Sequence, residues 1–382
     1  MFITSAEGNG NLSTWPGAGG LTGLAAADAI CQARATAAAL PNASGYRAWL
    51  SDSADDAYCR MHNLTGKRAS NCGLATLPAS AGPWWRTDAL PFGAALPGLL
   101  SPVQKVLTPP SRDESQVRRS ANAWTGTTYE GADDGSNCLN WTSAAPGEVA
   151  RIGNSDFTSW NWTSMGMYNC NLPSRLYCFE TGAGDPFPPF PAWGRLAFLT
   201  SAHGPGELGS WPAAGAANGL AAGDQICRTL AGVAGIRQPD SFKAWLSNSG
   251  FNAIDRFQHD GAWMRLDGMP IAQSLADLAD NSLETSISLT ETGSYLDYWA
   301  VWTGTLSDGT VAASHCLNWS SGVVSDAGDQ GIANASHLQW TQFGVSNCDF
   351  QWSYLYCLQD LPLIFLDSFE SHGTQAWTNV VP

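Results

Sequence analysis

The sequence predicts an α+β protein made of two tandem copies of one disulfide-bonded domain. Three observations predict it: an internal repeat that runs phrase by phrase, one Ala-rich helical stretch per copy among short strand-like runs, and ten cysteines without C-x-x-C spacing. At 382 residues the chain is long enough for two cores of ordinary size.

The repeat opens with F-I-T-S-A-E-G from Phe2, which returns as F-L-T-S-A-H-G from Phe198. Both runs carry β-branched or aromatic residues ended by Gly, so each reads as an opening strand. Next comes an Ala-rich stretch, Leu21 to Leu40, with apolar residues at helical spacing and Pro41 as its stop; Leu220 to Val233 is its partner. Their cysteines fix the offset at 227 − 31 = 196. Y-R-A-W-L-S from Tyr46 and F-K-A-W-L-S from Phe242 keep that offset and alternate large apolar with polar residues, the pattern of a half-buried strand. The register then slips, and A-W-T-G-T at Ala123 and V-W-T-G-T at Val301 resume it at 301 − 123 = 178. The first copy therefore carries the longer middle loop. R-L-Y-C at Arg175 and Y-L-Y-C at Tyr354 close the copies as a last strand. The expected organisation is domain 1 over 1–180, a Pro-rich semi-rigid linker over 181–195, domain 2 over 196–360 and a tail over 361–382.

Composition narrows the partners. With 18 basic and 33 acidic residues the formal charge is −15, which repels nucleic acid and other polyanions where no basic patch intervenes. No apolar run approaches the roughly 20 residues that span a bilayer. Ten cysteines without zinc spacing point to disulfides, hence to an extracellular or cell-surface setting, and predict that an upstream leader has been trimmed or lost. Cys59 and Cys72 have no counterparts in the second copy and most simply bond each other. The remaining four per copy, Cys31, Cys138, Cys170 and Cys178 and then Cys227, Cys316, Cys348 and Cys357, allow three connectivities each, between which spacing does not choose.

The opening strand, the G-L-A-A-A-D-A-I-C helix, Y-R-A-W-L-S, W-T-G-T, C-L-N-W and the closing L-Y-C-F together resemble a bacterial domain family of unknown function that shares the C-type lectin-like fold and is similar to collagen-derived endostatin. The resemblance covers nearly all of both copies. It implies two tandem C-type lectin-like domains with nested bridges, Cys31 to Cys178 around Cys138 to Cys170, and Cys227 to Cys357 around Cys316 to Cys348. Where calcium-dependent lectins of this fold carry a long loop with E-P-N or Q-P-D, only Gly126 to Cys138 and Gly304 to Cys316 fill the interval. The Q-P-D at Gln238 to Asp240 falls in the wrong part of the fold. A lectin-type calcium site is therefore not expected, and neither are endostatin's zinc histidines or heparin-binding arginines. The ending L-D-S-F-E-S-H-G resembles the short tails of secreted bacterial proteins.

No histidine recurs at a matching place, and G-x-S-x-G, H-E-x-x-H, P-loop and Rossmann patterns are absent, so the expectation is a protein that is not an enzyme and takes no cofactor. Asp28 and Asp224 do recur, each three residues before a cysteine; a structural hydrogen bond is their expected role. Paired with Glu7 or Glu207 they are the raw material for an alternative reading, a hydrolase with acids in a cleft. A structural or adhesive envelope protein is a third. Trp49, Trp124 and Trp141 recur as Trp245, Trp302 and Trp319 and are expected in the core. Trp84, Trp85 and Trp263 read as non-recurring and so become ligand candidates, together with Asp133 and Asp134. The favoured function is recognition of a glycan or protein ligand through the loops Cys59 to Trp85 and Gly261 to Leu283.

Overall fold

Short strands around one long helix recur twice along the chain. The computed structural model describes residues 1–192, 194–297 and 299–362, so nearly all of the tail over 361–382 lies outside the described residues. The chain divides into two units, Met1–Pro188 and Pro189–Pro382, each mixing helix and sheet. Arg195, expected as the end of the linker, is instead the first residue of a strand.

The first unit contains β1 (Phe2–Ile3), α1 (Gly23–Ala37), β2 (Tyr46–Ala48), β3 (Trp84–Trp85), β4 (Pro91–Gly93), β5 (Asn122–Trp124), β6 (Val149–Asn154), β7 (Gly166–Asn169) and β8 (Arg175–Glu180). β8 is the hub. It pairs antiparallel with β1 and β2 and parallel with β5, which leads on to β6 and β7, while β3 and β4 form a separate hairpin. The second unit repeats the order as β9 (Arg195–Leu199), α2 (Gly219–Val233), β10 (Phe242–Ala244), β11 (Trp263–Arg265), β12 (Pro270–Ala272), β13 (Ala300–Trp302), β14 (Ala327–Ile332), β15 (Gly344–Asn347), β16 (Ser353–Tyr354) and β17 (Tyr356–Gln359). There β16 and β17 share the role of β8.

Alternation along β8 decides how the first unit is filled. Leu176 and Cys178 face the core that α1 covers with Leu24, Ala27, Ile30 and Cys31. Tyr177 and Phe179 point the other way, into a second core that the middle loop covers with Tyr58, Trp84, Phe92, Leu96 and Leu99. A strand buried on both faces needs cover from both sides, and the long loop supplies the second cover.

Five disulfides join Cys31 to Cys178, Cys59 to Cys72, Cys138 to Cys170, Cys227 to Cys357 and Cys316 to Cys348. These are the pairs that the resemblance and the unmatched Cys59 and Cys72 imply, and no described cysteine is free. Each outer bridge ties the long helix to the closing strand. In the chain-entropy picture, closing such loops stabilises by about 5 kcal/mol for an outer bridge and about 4 kcal/mol for an inner one.

The recurring phrase C-L-N-W has a backbone reason. Cys138 to Trp141 have φ of 51°, 52°, 55° and 63°, and Cys316 to Trp319 have 46°, 49°, 62° and 64°, so each phrase is a turn of left-handed helix. Such a turn costs about 1–2 kcal/mol per residue and must be held from outside. A disulfide clamps its first residue. Its Asn takes a backbone N–H, Ser53 to Asn140 and Ser249 to Asn318, at 3.0 Å in both units, and its Trp donates to Ser51 O at 2.9 Å or Ser247 O at 2.8 Å.

Candidate functional site

Most sequence-based site candidates are consumed by the scaffold. Trp84 and Trp263, expected to meet a ligand, are buried instead. They are 3 % and 0 % exposed, and their indoles donate to Glu180 O at 2.7 Å and Gln359 O at 2.9 Å. They are also one repeated position, because W-W-R-T-D-A-L-P from Trp84 returns as W-M-R-L-D-G-M-P from Trp263 at 263 − 84 = 179. That recurrence was legible and missed, since the loop insertion breaks the offset just before it. Arg60 and Arg256 still keep 256 − 60 = 196, so the 196 − 179 = 17 extra residues lie between Arg60 and Trp84. Trp85 remains 38 % exposed, edge-on to Phe187 at 4.7 Å.

The acids are paired. Asp133 takes Asn137 Nδ2 at 3.0 Å and lies 3.6 Å from Lys67 Nζ, while Asp134 binds the Arg151 guanidinium, Nε at 2.7 Å. Asp28 accepts the Ala48 N–H at 3.0 Å and contacts Arg60; Asp224 accepts the Ala244 N–H at 2.9 Å and holds Arg256 at 2.6 and 2.7 Å. Burial lifts the Asp28 carboxyl above its ordinary value despite Arg60. These aspartates dock the helix onto the β2 or β10 strand rather than facing a cleft. Among the described residues no group of three or more His, Cys, Asp or Glu side chains gathers as a metal site.

A different surface stands out in the second unit. Trp352 is 51 % and Trp299 37 % exposed, with rings nearly parallel at 27° and centroids 6.0 Å apart. His203 stacks on Trp352 at 4.5 Å and 23°, and Tyr354 tilts against both His203 and Trp299 at 5.2 and 6.0 Å. His203 Nδ1 lies 2.8 Å from Gln351 O, an acceptor only, so Nδ1 donates. Beside Trp352 lies an open depression of about 510 Å³ lined by Val345, Ser346, Asn347, Asp349, Phe350 and Gln351.

Strand placement explains the cluster. Trp299 precedes β13, Trp352 and Tyr354 flank or belong to β16, β13 and β16 pair in parallel, and His203 follows β9 beside the Gly204–Ser353 bridge. The matching positions of the first unit carry other chemistry: Glu7 for His203, Arg175 for Tyr354, Pro173 for Trp352 and Ala121 for Trp299. There Arg175 and Glu7 form an ion pair at 2.9 Å. One scaffold location thus holds a salt bridge in one copy and an exposed aromatic platform in the other.

No family model matches the chain, and no curated protein does.

Proposed function

We propose that this chain is an extracellular binding protein of two C-type lectin-like domains, related to the bacterial family similar to endostatin, and that its second unit recognises a glycan on the His203, Trp299 and Trp352 platform. The binding needs no catalytic step and no lectin-type calcium. The observation that carries the reading is the exposed, nearly parallel indole pair. Large apolar rings left in water are costly unless something covers them, and their electron-rich faces suit the C–H faces of a sugar ring. Asn347, Ser346, Asp349 and Gln351 line the adjoining depression and supply the few hydrogen-bonding groups that fix orientation.

Support for the fold assignment comes from the nested bridges and from the closing strand pairing with the opening one in both units. Five disulfides suit an oxidising, extracellular compartment. No helix among the described residues is long and apolar enough to cross a membrane.

The test is a glycan array followed by titration of the hits. Trp352→Ala and Trp299→Ala should each weaken binding by about tenfold or more, equivalent to roughly 1.4 kcal/mol. The thermal midpoint should hardly move, because both rings are already substantially exposed. Loss of binding on Trp85→Ala alone, with the platform variants unaffected, would reject the assignment.

A further inference from the structure

Charge is unevenly shared between the two units. Residues 189–382 hold 6 Lys and Arg against 18 Asp and Glu, a balance of 6 − 18 = −12, whereas residues 1–188 hold 12 against 15, a balance of 12 − 15 = −3. The last basic side chain is Arg265; from Leu266 to Pro382 the chain has 13 Asp and Glu and neither Lys nor Arg. Strands β13, β15 and β16, which carry or flank Trp299, Trp352 and the adjoining depression, all come from that stretch. Two basic residues of the sheet lie at its other end. Lys243 pairs level with Leu358 and Arg195 begins β9, while the platform sits where His203 follows β9 and Tyr354 precedes β17.

Asp349 brings the charge into the site. It lines the depression beside Trp352, is exposed, and has no partner for its carboxylate among the described residues; its backbone carbonyl accepts Gln351 Nε2 at 2.9 Å. The other six lining residues are uncharged. By the 178 offset its counterpart is Asn171, in the copy whose platform position is filled by the Glu7 to Arg175 ion pair. The aromatic surface and the unpaired acid therefore belong to the same unit, and that unit carries most of the negative charge. Such a surface attracts a cation and repels an anion. Indole faces that suit the C–H groups of a sugar also hold an ammonium by cation–π attraction.

Resting on the glycan reading above, we infer that the sugar is basic: the platform takes a glucosamine-type glycan with free amino groups, its pyranose faces on Trp299 and Trp352 and one ammonium against Asp349. N-acetylation removes that charge and a uronic acid reverses it, so both bind less well. The field of the whole unit speeds encounter, and the contact with Asp349 sets selectivity.

The probes are a β-1,4-linked glucosamine tetramer, its fully N-acetylated form and a galacturonic acid tetramer, each titrated by calorimetry against the full oxidised chain at low salt. The glucosamine tetramer should bind about tenfold more tightly than the N-acetylated one, and the uronic acid tetramer should show no saturation. Salt raised to about 1 M should shrink the margin, because screening weakens a surface charge pair. Asp349→Asn should bring the glucosamine tetramer down to the affinity of the N-acetylated form without lowering the latter. Asp240→Asn removes the same charge beside the start of β10, at the opposite end of the sheet, and should leave the margin unchanged. Both aspartates are exposed, so neither change should move the thermal midpoint. Equal affinity for the two glucosamine forms, a preference for the acetylated one, no binding of either, a margin that survives Asp349→Asn or one that Asp240→Asn also removes overturns the inference. The glycan reading fails by a different result, array hits that bind Trp299→Ala and Trp352→Ala undiminished; neutral hits lost in those variants keep the platform and discard the ammonium.

Discussion

Trp162 and Trp340 occupy equivalent buried positions, yet only one has its indole satisfied. Trp162 Nε1 donates to Leu99 O at 3.3 Å, whereas Trp340 Nε1 has no acceptor among the described residues. Replacing either with Phe opens a similar void, but only the first change also removes a hydrogen bond, and the second removes an unsatisfied donor. Trp162→Phe should therefore cost about 1–2 kcal/mol more than Trp340→Phe. Denaturant-dependent hydrogen exchange within each unit measures the difference. A second prediction concerns Asp267, bound to the fully buried Arg265 through Nε at 2.8 Å and Nη2 at 2.9 Å. Burial opposes its ionisation, but the Arg265 charge with hydrogen bonds from Arg265, Tyr295 and Met269 overcomes it and holds the carboxyl below its ordinary 3.8. Such a group stabilises the fold above pH 3.8, and that contribution fades as pH falls through the lower folded value. Asp267→Asn should be less stable by about 3 kcal/mol at pH 6, since it strands a buried guanidinium. The gap to the parent should shrink toward pH 2 in urea unfolding series; a constant gap would mean that the carboxylate charge is not the source.

At the scale of elements, the left-handed C-L-N-W turn explains why a phrase is repeated letter for letter. Leu139 and Leu317 are 59 % and 62 % exposed, so their side chains contribute little packing and their backbone carries the strain. Asn tolerates this conformation and a β-branched residue does not. Leu139→Asn should leave stability unchanged or raise it by up to about 1 kcal/mol, while Leu139→Val lowers it by about 1–2 kcal/mol. Thermal unfolding of the two variants decides this, and equal values would show that the turn is not strained. The tryptophan pairs repeat as closely: Trp49 and Trp245 donate to Thr163 and Thr341 hydroxyls, and Trp124 and Trp302 to Gly8 and Gly204 carbonyls, so the indoles fix strand spacing in both units alike.

For the molecule as a whole, duplication made much of the architecture readable. The helices, the Trp cores and the opening and closing strands follow from periodicity and from what recurs, because residues that fill a core answer to a local pattern repeated in both copies. Arg60 with Asp28 and Arg256 with Asp224 were just as repeated, but an ion pair across 32 residues leaves no periodic trace. Trp84 and Trp263 were misread for a related reason: the 17-residue insertion moved the register, and a buried repeat then looked like two unmatched loop aromatics. The aromatic platform was illegible because its four members come from three separated stretches, around 203, 299 and 352–354. The sequence by itself determined that a helix-and-strand unit was copied, where its helix and principal strands lie, and that its cysteines belong in disulfides. Only the tertiary structure decided which aromatics are core and which meet solvent. Burial and strand pairing depend on residues far apart in the chain, and no local spacing encodes them.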